Sequence, residues 1–304
     1  MQNLIEKLQT GRTIILDGGT GTDIQAKGAP MNGDHWCAMA NLTHPEIVQA
    51  VHEDYIAAGA EIITANSFAS SVLSFHYHGR EAQVAEIDAA AVAIAKRAAA
   101  GRVPVAGSFS TMRPVYPGTD RTVTDFNWTE AEARRLFALK AKGLKDAGVD
   151  LIIMEMMRDT DYSLWASQEA MATALPVWIG FSIEKDADGK LTGFGRPDQL
   201  LEEFLPSLAS LNPQVLAIMH SSPNDTTAAL PIIRDIWQGP LGAYPESGYF
   251  AAPDWQFVNI IPPHELVAQA RAWRDGGVSL IGGCCGIGPD HIRALKEAFA
   301  DAEV

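Results

Sequence analysis

The most constraining feature of the sequence is a regular alternation of short apolar runs with longer segments of helical apolar spacing. A short run rich in aliphatic side chains is typical of a strand that is buried on both faces. Strands that alternate with helices form parallel sheets, because a helix returns the chain to the edge where the next strand starts. The eight runs are residues 13–16, 61–64, 103–107, 151–155, 177–181, 215–218, 241–244 and 278–281.

The segments between these runs repeat apolar residues three and four positions apart, as an amphipathic helix requires. Two helix starts are indicated where a Thr precedes a Glu by three residues, Thr43 with Glu46 and Thr129 with Glu132. In each pair the side chains can satisfy free backbone amides of the first turn. The predicted helices are residues 47–58, 82–100, 131–147, 199–211, 265–274 and 289–300.

Eight strand and helix units close most naturally as an α/β fold of the (β/α)8 TIM-barrel type, and a doubly wound open sheet is the competing arrangement. No linker rich in Gly, Pro and Ser divides the chain, so we predict one domain over residues 1–304. Residues 108–127 and 239–253 are too irregular for barrel helices, and we expect them to form excursions over one end of the barrel.

The charge of the chain limits its partners. A formal net charge of -14 repels nucleic acid and anionic lipid surfaces, and no local run of Lys or Arg offsets it. The sequence also has neither a signal-peptide core nor a run of ~20 apolar residues, so we expect a cytoplasmic protein without membrane partners. We expect the helix face with Arg134, Arg135, Lys140 and Lys142 to be solvated.

The strongest local motif follows the last apolar run and reads Gly-Gly-Cys-Cys-Gly, with the thiols at Cys284 and Cys285. In a barrel the carboxyl ends of the strands form the catalytic face, which is where these thiols would lie. Adjacent cysteines rarely form a disulfide without strain, so reduced thiols are favoured. Thiolates bind zinc well, but two of them need a third ligand. The residues alone leave open that both are small buried side chains.

Further short segments accompany this motif along the chain. Together they resemble the homocysteine S-methyltransferase family, which includes betaine-dependent and S-methylmethionine-dependent enzymes. The resemblance implies a (β/α)8 barrel and methyl transfer from a sulfonium or quaternary ammonium donor to the thiol of homocysteine or a related thiol, and it suggests a homo-oligomer. Besides Gly-Gly-Cys-Cys-Gly, the segments that carry it are residues 16–21, 44–46, 57–60, 64–68, 105–108, 155 and 244–248.

The resemblance also implies one zinc ion held by three cysteines, two in the paired motif and one after the sixth strand. At the third position this sequence has His220, preceded by Met219 where the family has Asn. Imidazole is a good zinc ligand, so we predict a zinc site of His220, Cys284 and Cys285 with one position open for substrate. The alternative is that His220 is a hydrogen-bonded loop residue of a lost site, with Ser221 a weaker substitute ligand.

Further site residues are implied by the same resemblance. Asp17 and Glu155 match acidic positions that orient homocysteine, with Glu155 facing the amino group of the substrate. Asp17 can equally be a turn residue that caps the amides after it. The backbone amides of Gly18, Gly19 and Thr20 are candidates for binding the substrate carboxylate.

On the methyl-donor side, Trp36 and Phe68 match aromatic positions whose ring faces can stabilise a cationic donor. Glu246 stands where an Asn is common in the family, and Met156 stands where the betaine enzymes carry Tyr, so the donor is not fixed by the motifs. Cys37 lies in the first loop, but the family does not use that position as a ligand.

Two other functions stay open at this point. The altered ligand set is also compatible with a zinc hydrolase in which Glu155 acts as a general base toward water. A barrel that has lost its metal and binds a thiol metabolite without catalysis is the second alternative. All three readings share a small-molecule ligand at the carboxyl ends of the strands.

Overall fold

The computed structural model describes residues 2–10, 12–31, 34–116, 123, 127–251 and 256–300. Its strands are β1 (Ile14–Ile15), β2 (Ile63–Ala65), β3 (Val105–Ser110), β4 (Leu151–Met157), β5 (Val177–Phe181), β6 (Ile183–Lys185), β7 (Leu191–Gly193), β8 (Arg196–Leu200), β9 (Val215–Met219), β10 (Leu241–Tyr244), β11 (Tyr249–Ala251), β12 (Gln256–Val258) and β13 (Val278–Ile281).

Helices follow the strands in regular alternation. They are α1 (Gln2–Gln9), α2 (Thr20–Ala26), α3 (Ala40–Thr43), α4 (Pro45–Ala58), α5 (Val72–Tyr77), α6 (Val84–Ala99), α7 (Glu130–Ala147), α8 (Asp161–Met171), α9 (Leu201–Ala209), α10 (Pro223–Ile236), α11 (Pro263–Asp275) and α12 (Pro289–Ala300). No described helix is both long and apolar enough to cross a membrane.

Eight of the strands form one parallel sheet in the order β2-β3-β4-β5-β9-β10-β13-β1. Its two outer strands are joined as well, because a parallel bridge pairs Leu16 with Ile62. Beside it the Glu61 amide donates to the Ile15 carbonyl at 2.7 Å, and the Glu61 carboxylate accepts from the Ile15 amide at 3.1 Å. The sheet therefore closes, and the predicted (β/α)8 barrel is confirmed over the open sheet.

All eight predicted apolar runs overlap barrel strands. Their side chains fill two layers, one between the sheet and its helices and one inside the barrel. Leu4 and Leu8 of α1 belong to the inner layer, where they join residues from the first positions of strands such as Ile14 and Leu151. Helix α1 therefore covers the end of the barrel at which the strands begin, and the opposite end is available for a site.

The two predicted helix starts have different outcomes. At α7 the Thr129 hydroxyl accepts from the Glu132 amide and the Glu132 carboxylate accepts from the Thr129 amide, as predicted. The prediction for Thr43 with Glu46 was wrong, because α4 begins at Pro45 with His44 as the residue before it. Proline suits the first helical position, where its missing N–H costs nothing, and this sets the start of the helix.

Two small antiparallel sheets were not predicted. Strands β6, β7 and β8 follow β5, and β11 pairs with β12 after β10, so both sheets extend from the carboxyl ends of barrel strands. The expected excursion at 239–253 contains β10 and β11, and its residues 252 and 253 lie outside the described part of the chain. In the expected excursion at 108–127, strand β3 continues to Ser110, and residues 117–122 and 124–126 lie outside the described part. The helix predicted at 199–211 is shorter, since β8 includes its first two residues.

The prediction of a solvated Lys140 was wrong, since its side chain is fully buried. The ammonium group donates to the Asp88 carboxylate at 2.7 Å, to the Ser70 hydroxyl at 3.0 Å and to the Ser67 carbonyl at 2.9 Å. A buried ammonium is tolerated only when it is paired and hydrogen-bonded in this way. The pair ties α7 to α6 and to the loop after β2.

Replacing Lys140 with methionine should lower the free energy of unfolding by about 3 to 5 kcal/mol, because it leaves the Asp88 carboxylate buried without its partner. The double variant Lys140→Met, Asp88→Leu should recover most of this loss. Lys142→Met is the matched control, because Lys142 is 72% exposed on the same helix and should change stability by less than about 1 kcal/mol. Urea unfolding measures the stability of all three variants. A Lys140→Met variant as stable as the wild type would contradict a stabilising role for the buried ion pair.

Candidate active site

A cavity of about 140 Å³ lies at the carboxyl ends of the barrel strands. A larger open depression of about 590 Å³ lies elsewhere, beside Leu4 and Lys7 of α1, and it contains none of the predicted site residues. The smaller cavity instead gathers all of them. Its lining includes Asp17, Gly18, Gly19, Thr20, Trp36, Phe68, Glu155, His220, Cys284 and Cys285.

The two thiols and the imidazole converge at one side of this cavity. The Cys284 sulfur lies 3.5 Å from Nδ1 of His220 and 3.9 Å from the Cys285 sulfur. One donor atom from each of the three residues falls within 4.8 Å of the others. The hydrogen bond with the Cys285 thiol, followed by burial, raises the pKa of Cys284 well above its ordinary value. These residues can together hold a metal ion, and a bound cation would favour the thiolate form.

His220 is held at the end of β9 by contacts on several sides. Its backbone has a left-handed φ of 43°, which is unusual for a residue with a side chain. The Ser182 hydroxyl donates to its carbonyl at 2.8 Å, and its ring packs edge-on against Phe194 with centroids 4.9 Å apart. Phe194 lies between β7 and β8, so the small sheet after β5 forms part of the site.

The cysteine loop is held by backbone contacts with its neighbours. The Cys284 amide donates to the Pro245 carbonyl at 2.8 Å, and the Gly283 amide donates to the Asp17 carbonyl at 3.1 Å. A Cβ on Gly283 would stand 2.1 Å from a carbon of Ile287, so no larger residue fits there without moving the loop. The glycine therefore permits the close packing that places both thiols toward the cavity.

Asp17 is buried and faces β2. Its two oxygens accept hydrogen bonds from the Thr64 amide at 2.6 Å and the Thr64 hydroxyl at 3.0 Å. Both donors belong to Thr64 on the neighbouring strand β2, so they do not support the alternative in which Asp17 caps the amides that follow it. Burial raises the pKa of Asp17 to about 8, against the effect of the Thr64 hydrogen bonds.

Glu155 lies on β4 and also faces the cavity. The Ser108 hydroxyl of β3 donates a short hydrogen bond to its carboxylate. Burial raises the pKa of Glu155 to about 7, and the Ser108 hydrogen bond and the charge of His220 oppose that rise. In the described part of the chain no Lys or Arg lines the cavity. A cationic group of a ligand would therefore meet two carboxyl groups that have no Lys or Arg partner in the described cavity wall.

The backbone amides of the glycine loop after β1 were predicted to bind a substrate carboxylate, but two of them are hydrogen-bonded within the protein. The Gly19 amide donates to the Ile287 carbonyl at 2.9 Å, and the Thr20 amide donates to the Gly18 carbonyl at 2.9 Å. These two amides are therefore occupied within the protein and do not serve as free donors to a substrate carboxylate. The three residues still line the cavity, where Gly18 and Gly19 allow the close approach of Tyr55 and Cys284.

The aromatic pair lies at another part of the cavity wall. The rings of Trp36 and Phe68 are nearly parallel, with centroids 5.8 Å apart. The Asn66 side chain joins their two loops, because its amide group donates to the Cys37 carbonyl at 3.0 Å and its oxygen accepts from the Cys37 thiol at 3.0 Å. Among the described residues, Cys37 is not part of the group that could hold a metal ion.

Several residues that contact the site residues could not be identified from the sequence. Thr64 and Ser108 lay in segments that carried the family resemblance, but nothing in their spacing showed that they hold Asp17 and Glu155. Nothing in the sequence indicated a role for Phe194, because the small sheet that contains it was not predicted. Glu246 was noted only as a departure from the family pattern, yet its carboxylate lies 3.1 Å from Nδ1 of His220.

The fold and the site together define a barrel enzyme whose strand ends carry two thiols and an imidazole beside two buried carboxyl groups. Comparison with known proteins then gives its family. The model of the family described as homocysteine S-methyltransferase matches residues 14–299, so the chain belongs to that family and is an S-methyltransferase. This favours methyl transfer over the hydrolase and the non-catalytic barrel.

Individual relatives cover almost the whole chain. Homocysteine S-methyltransferase of Escherichia coli is 28% identical, with 93% of this chain and 94% of that protein aligned. The selenocysteine Se-methyltransferase of Brassica oleracea is 27% identical, with 95% of this chain and 89% of that protein aligned. The crystal structure of the metallated form of the homocysteine methyltransferase MmuM from Escherichia coli has a TM-score of 0.73 at 25% identity, with 94% and 96% of the two chains covered.

Proposed function

We propose that this chain transfers a methyl group from a sulfonium or quaternary ammonium donor to the thiol of homocysteine or a related thiol, and that zinc held by His220, Cys284 and Cys285 activates this thiol. The observation that carries the proposal is the convergence of these three side chains at a cavity that also exposes the buried carboxylates of Asp17 and Glu155. The single domain over residues 1–304, a homo-oligomer and a cytoplasmic location stay predictions.

The two separations that involve the Cys284 sulfur fit zinc. Tetrahedral bonds of about 2.3 Å to sulfur and about 2.0 to 2.1 Å to nitrogen place two sulfurs about 3.8 Å apart, and a sulfur and a nitrogen about 3.6 Å apart. The corresponding separations here are 3.9 Å between the cysteines and 3.5 Å between Cys284 and His220. Two thiolates and one imidazole are ligands that zinc prefers, and three protein ligands leave one position for a substrate.

Zinc bound there would lower the pKa of a substrate thiol from its free value of about 8.5 and so supply a thiolate at neutral pH. The protein supplies the surroundings of the acceptor. Glu155, oriented by Ser108, is placed to bind an ammonium group as a buried carboxylate. Asp17 is held by Thr64 on the same wall. Because burial raises its pKa to about 8, it is largely neutral at pH 7, and a cationic group bound beside it would favour its charged form.

We propose that the methyl donor binds beside Trp36 and Phe68, whose stacked rings line the cavity. A sulfonium or quaternary ammonium group binds favourably to an aromatic face because the ring quadrupole attracts a cation. Such donors carry their positive charge on the leaving atom, so that the leaving group departs neutral when the methyl group moves to the thiolate. S-methylmethionine-like and betaine-like molecules both satisfy this requirement.

The test begins with protein purified without added metal and measures its metal content by elemental mass spectrometry. We expect about one zinc per chain. The same protein is then given homocysteine with either S-methylmethionine or betaine, and the products are identified by mass spectrometry. Zinc-dependent methionine formation from at least one donor is the expected result. Protein that neither contains nor takes up zinc, or zinc-loaded protein that methylates no thiol with either donor, would contradict the proposal.

A further inference from the structure

We propose that Lys140 is a positioning residue for the methyl-donor side of the cavity, and that it acts by fixing the loop that carries Phe68. The inference rests on the proposed function, because it takes the Phe68 ring as part of the donor site. Phe68 lies in the loop of residues 66–71, which connects β2 to α5 and contains no helix or strand. The position of the ring therefore depends on what holds the backbone of this loop.

The ammonium group of Lys140 holds this backbone on both sides of Phe68. It donates to the Ser67 carbonyl at 2.9 Å and to the Ser70 carbonyl at 3.1 Å. The Ser110 hydroxyl of β3 donates to the carbonyl of Phe68 itself at 2.7 Å. Hydrogen bonds from a charged donor are roughly twice as strong as neutral ones, so Lys140 restrains the loop more firmly than an uncharged donor would.

The charge of Lys140 is not explained by stability alone. Its side chain and that of Asp88 on α6 are both fully buried, and the two groups are 2.7 Å apart. Replacing a buried ion pair with apolar side chains is often neutral or stabilising, so a core at this place does not need one. An apolar pair has no N–H group, whereas an ammonium offers three. What the ion pair adds is a buried donor for the carbonyls of an irregular loop.

The loop faces the cavity, where the Phe68 ring lies nearly parallel to the Trp36 ring with centroids 5.8 Å apart. A shift of the loop would change the separation of these two rings. The acceptor side is anchored differently, because Glu155 lies within β4 and is paired with Ser110 of β3 in the barrel sheet. Loss of the Lys140 contacts should therefore weaken donor binding and leave acceptor binding almost unchanged.

The experiment uses the double variant Lys140→Met, Asp88→Leu, which removes the donor to the loop and leaves no unpaired buried charge. The KM values for homocysteine and for S-methylmethionine or betaine, whichever the wild type uses, are measured. We expect the donor KM to rise by at least about tenfold, as the loss of hydrogen bonds from a charged donor predicts. The homocysteine KM should change by less than about twofold.

Leu295→Ala is the control for general destabilisation. Leu295 is buried on α12, which packs against α4 and α11 and does not carry the loop. Its truncation weakens the core but should alter neither KM. A rise of the donor KM in this control similar to that in the double variant would show that reduced stability alone causes the effect, and would overturn the inference.

Combination with Phe68→Ala tests whether Lys140 acts through the Phe68 ring. In the Phe68→Ala background the double variant should weaken donor binding by less than about twofold, because no ring is left to position. Hydrogen exchange followed by mass spectrometry gives a readout that does not depend on activity. Amides of residues 66–71 should exchange at least about fivefold faster in the double variant, whereas those of residues 289–300 should be unchanged.

The inference is overturned if the donor and acceptor KM values rise together, if the donor KM or the loop exchange stays unchanged, or if the effects of Lys140 and Phe68 add. Calorimetry of donor binding without acceptor separates it from the proposed function. Weaker donor binding by the double variant of a protein that methylates no thiol would leave the inference standing and reject the proposed function. Methyl transfer with unchanged donor binding would reject the inference alone, and a wild type that neither binds nor uses either donor would reject both.

Discussion

Replacing Cys284 with serine should remove zinc and reduce methyl transfer by at least about a thousandfold. The Cys284 sulfur lies between the other two proposed ligands, 3.5 Å from His220 and 3.9 Å from Cys285. Zinc sites of this kind bind with roughly 10 to 16 kcal/mol, so one of three ligands represents roughly 4 kcal/mol, or about three orders of magnitude in affinity. Metal content and steady-state rates measure both losses.

Cys37→Ser is the matched control for this change. Cys37 is also a thiol at the cavity, but it is buried against Asn66 and lies outside the group that can hold a metal. The control variant should keep about one zinc per chain and most of the activity. Equal loss of zinc in both variants, or full zinc retention in Cys284→Ser, would mean that the metal is held elsewhere.

The second large effect is expected at Glu155. Changing it to glutamine keeps the shape of the side chain and its contact with Ser108 but removes the charge proposed to bind the ammonium group of the acceptor. Loss of one partner of a buried charge pair costs about 2 to 5 kcal/mol, so the KM for homocysteine should rise by about a hundredfold. A thiol of the same length without an amino group is the control, because it has no ammonium to lose and its KM should change little.

The pH dependence of acceptor binding tests the same residue. Burial raises the pKa of Glu155 to about 7, so a growing fraction of the carboxyl is protonated and neutral as pH falls below that value. Homocysteine affinity should therefore increase as pH rises through about 7 in the wild type, and this step should be absent in Glu155→Gln. A step of the same size in both proteins would assign the titration to another group.

The barrel and the paired cysteines of the candidate metal site could be predicted because their signals are local. Strands buried on both faces read as apolar runs, and all eight runs overlap barrel strands. The paired cysteines after the last run are recognisable because Cys is itself a metal-ligating residue type. Their position directly after a strand places them at the carboxyl ends of the barrel strands. His220 was predicted because the resemblance to the family implies a third ligand after the sixth strand, and the structure brings it beside the paired cysteines.

Contacts between distant segments could not be predicted in the same way. Lys140 has the spacing of a solvated helix position, and only the Asp88 carboxylate from another helix explains why it is buried. The amides of Gly19 and Thr20 were expected to be free, but the carbonyls that accept from them are set by how two loops pack. The local sequence around these residues contains no pattern that indicates a partner from a distant segment.

The sequence by itself determined the eight strands of the parallel sheet and the residue types gathered at their carboxyl ends, because apolar runs and strand direction are properties of the chain. The tertiary structure decided how those groups are charged and paired. Burial raised the pKa of Asp17 and Glu155, and neighbouring strand ends brought Glu246 to His220. Desolvation and contact across strands depend on the folded environment, so residue identity alone does not set them.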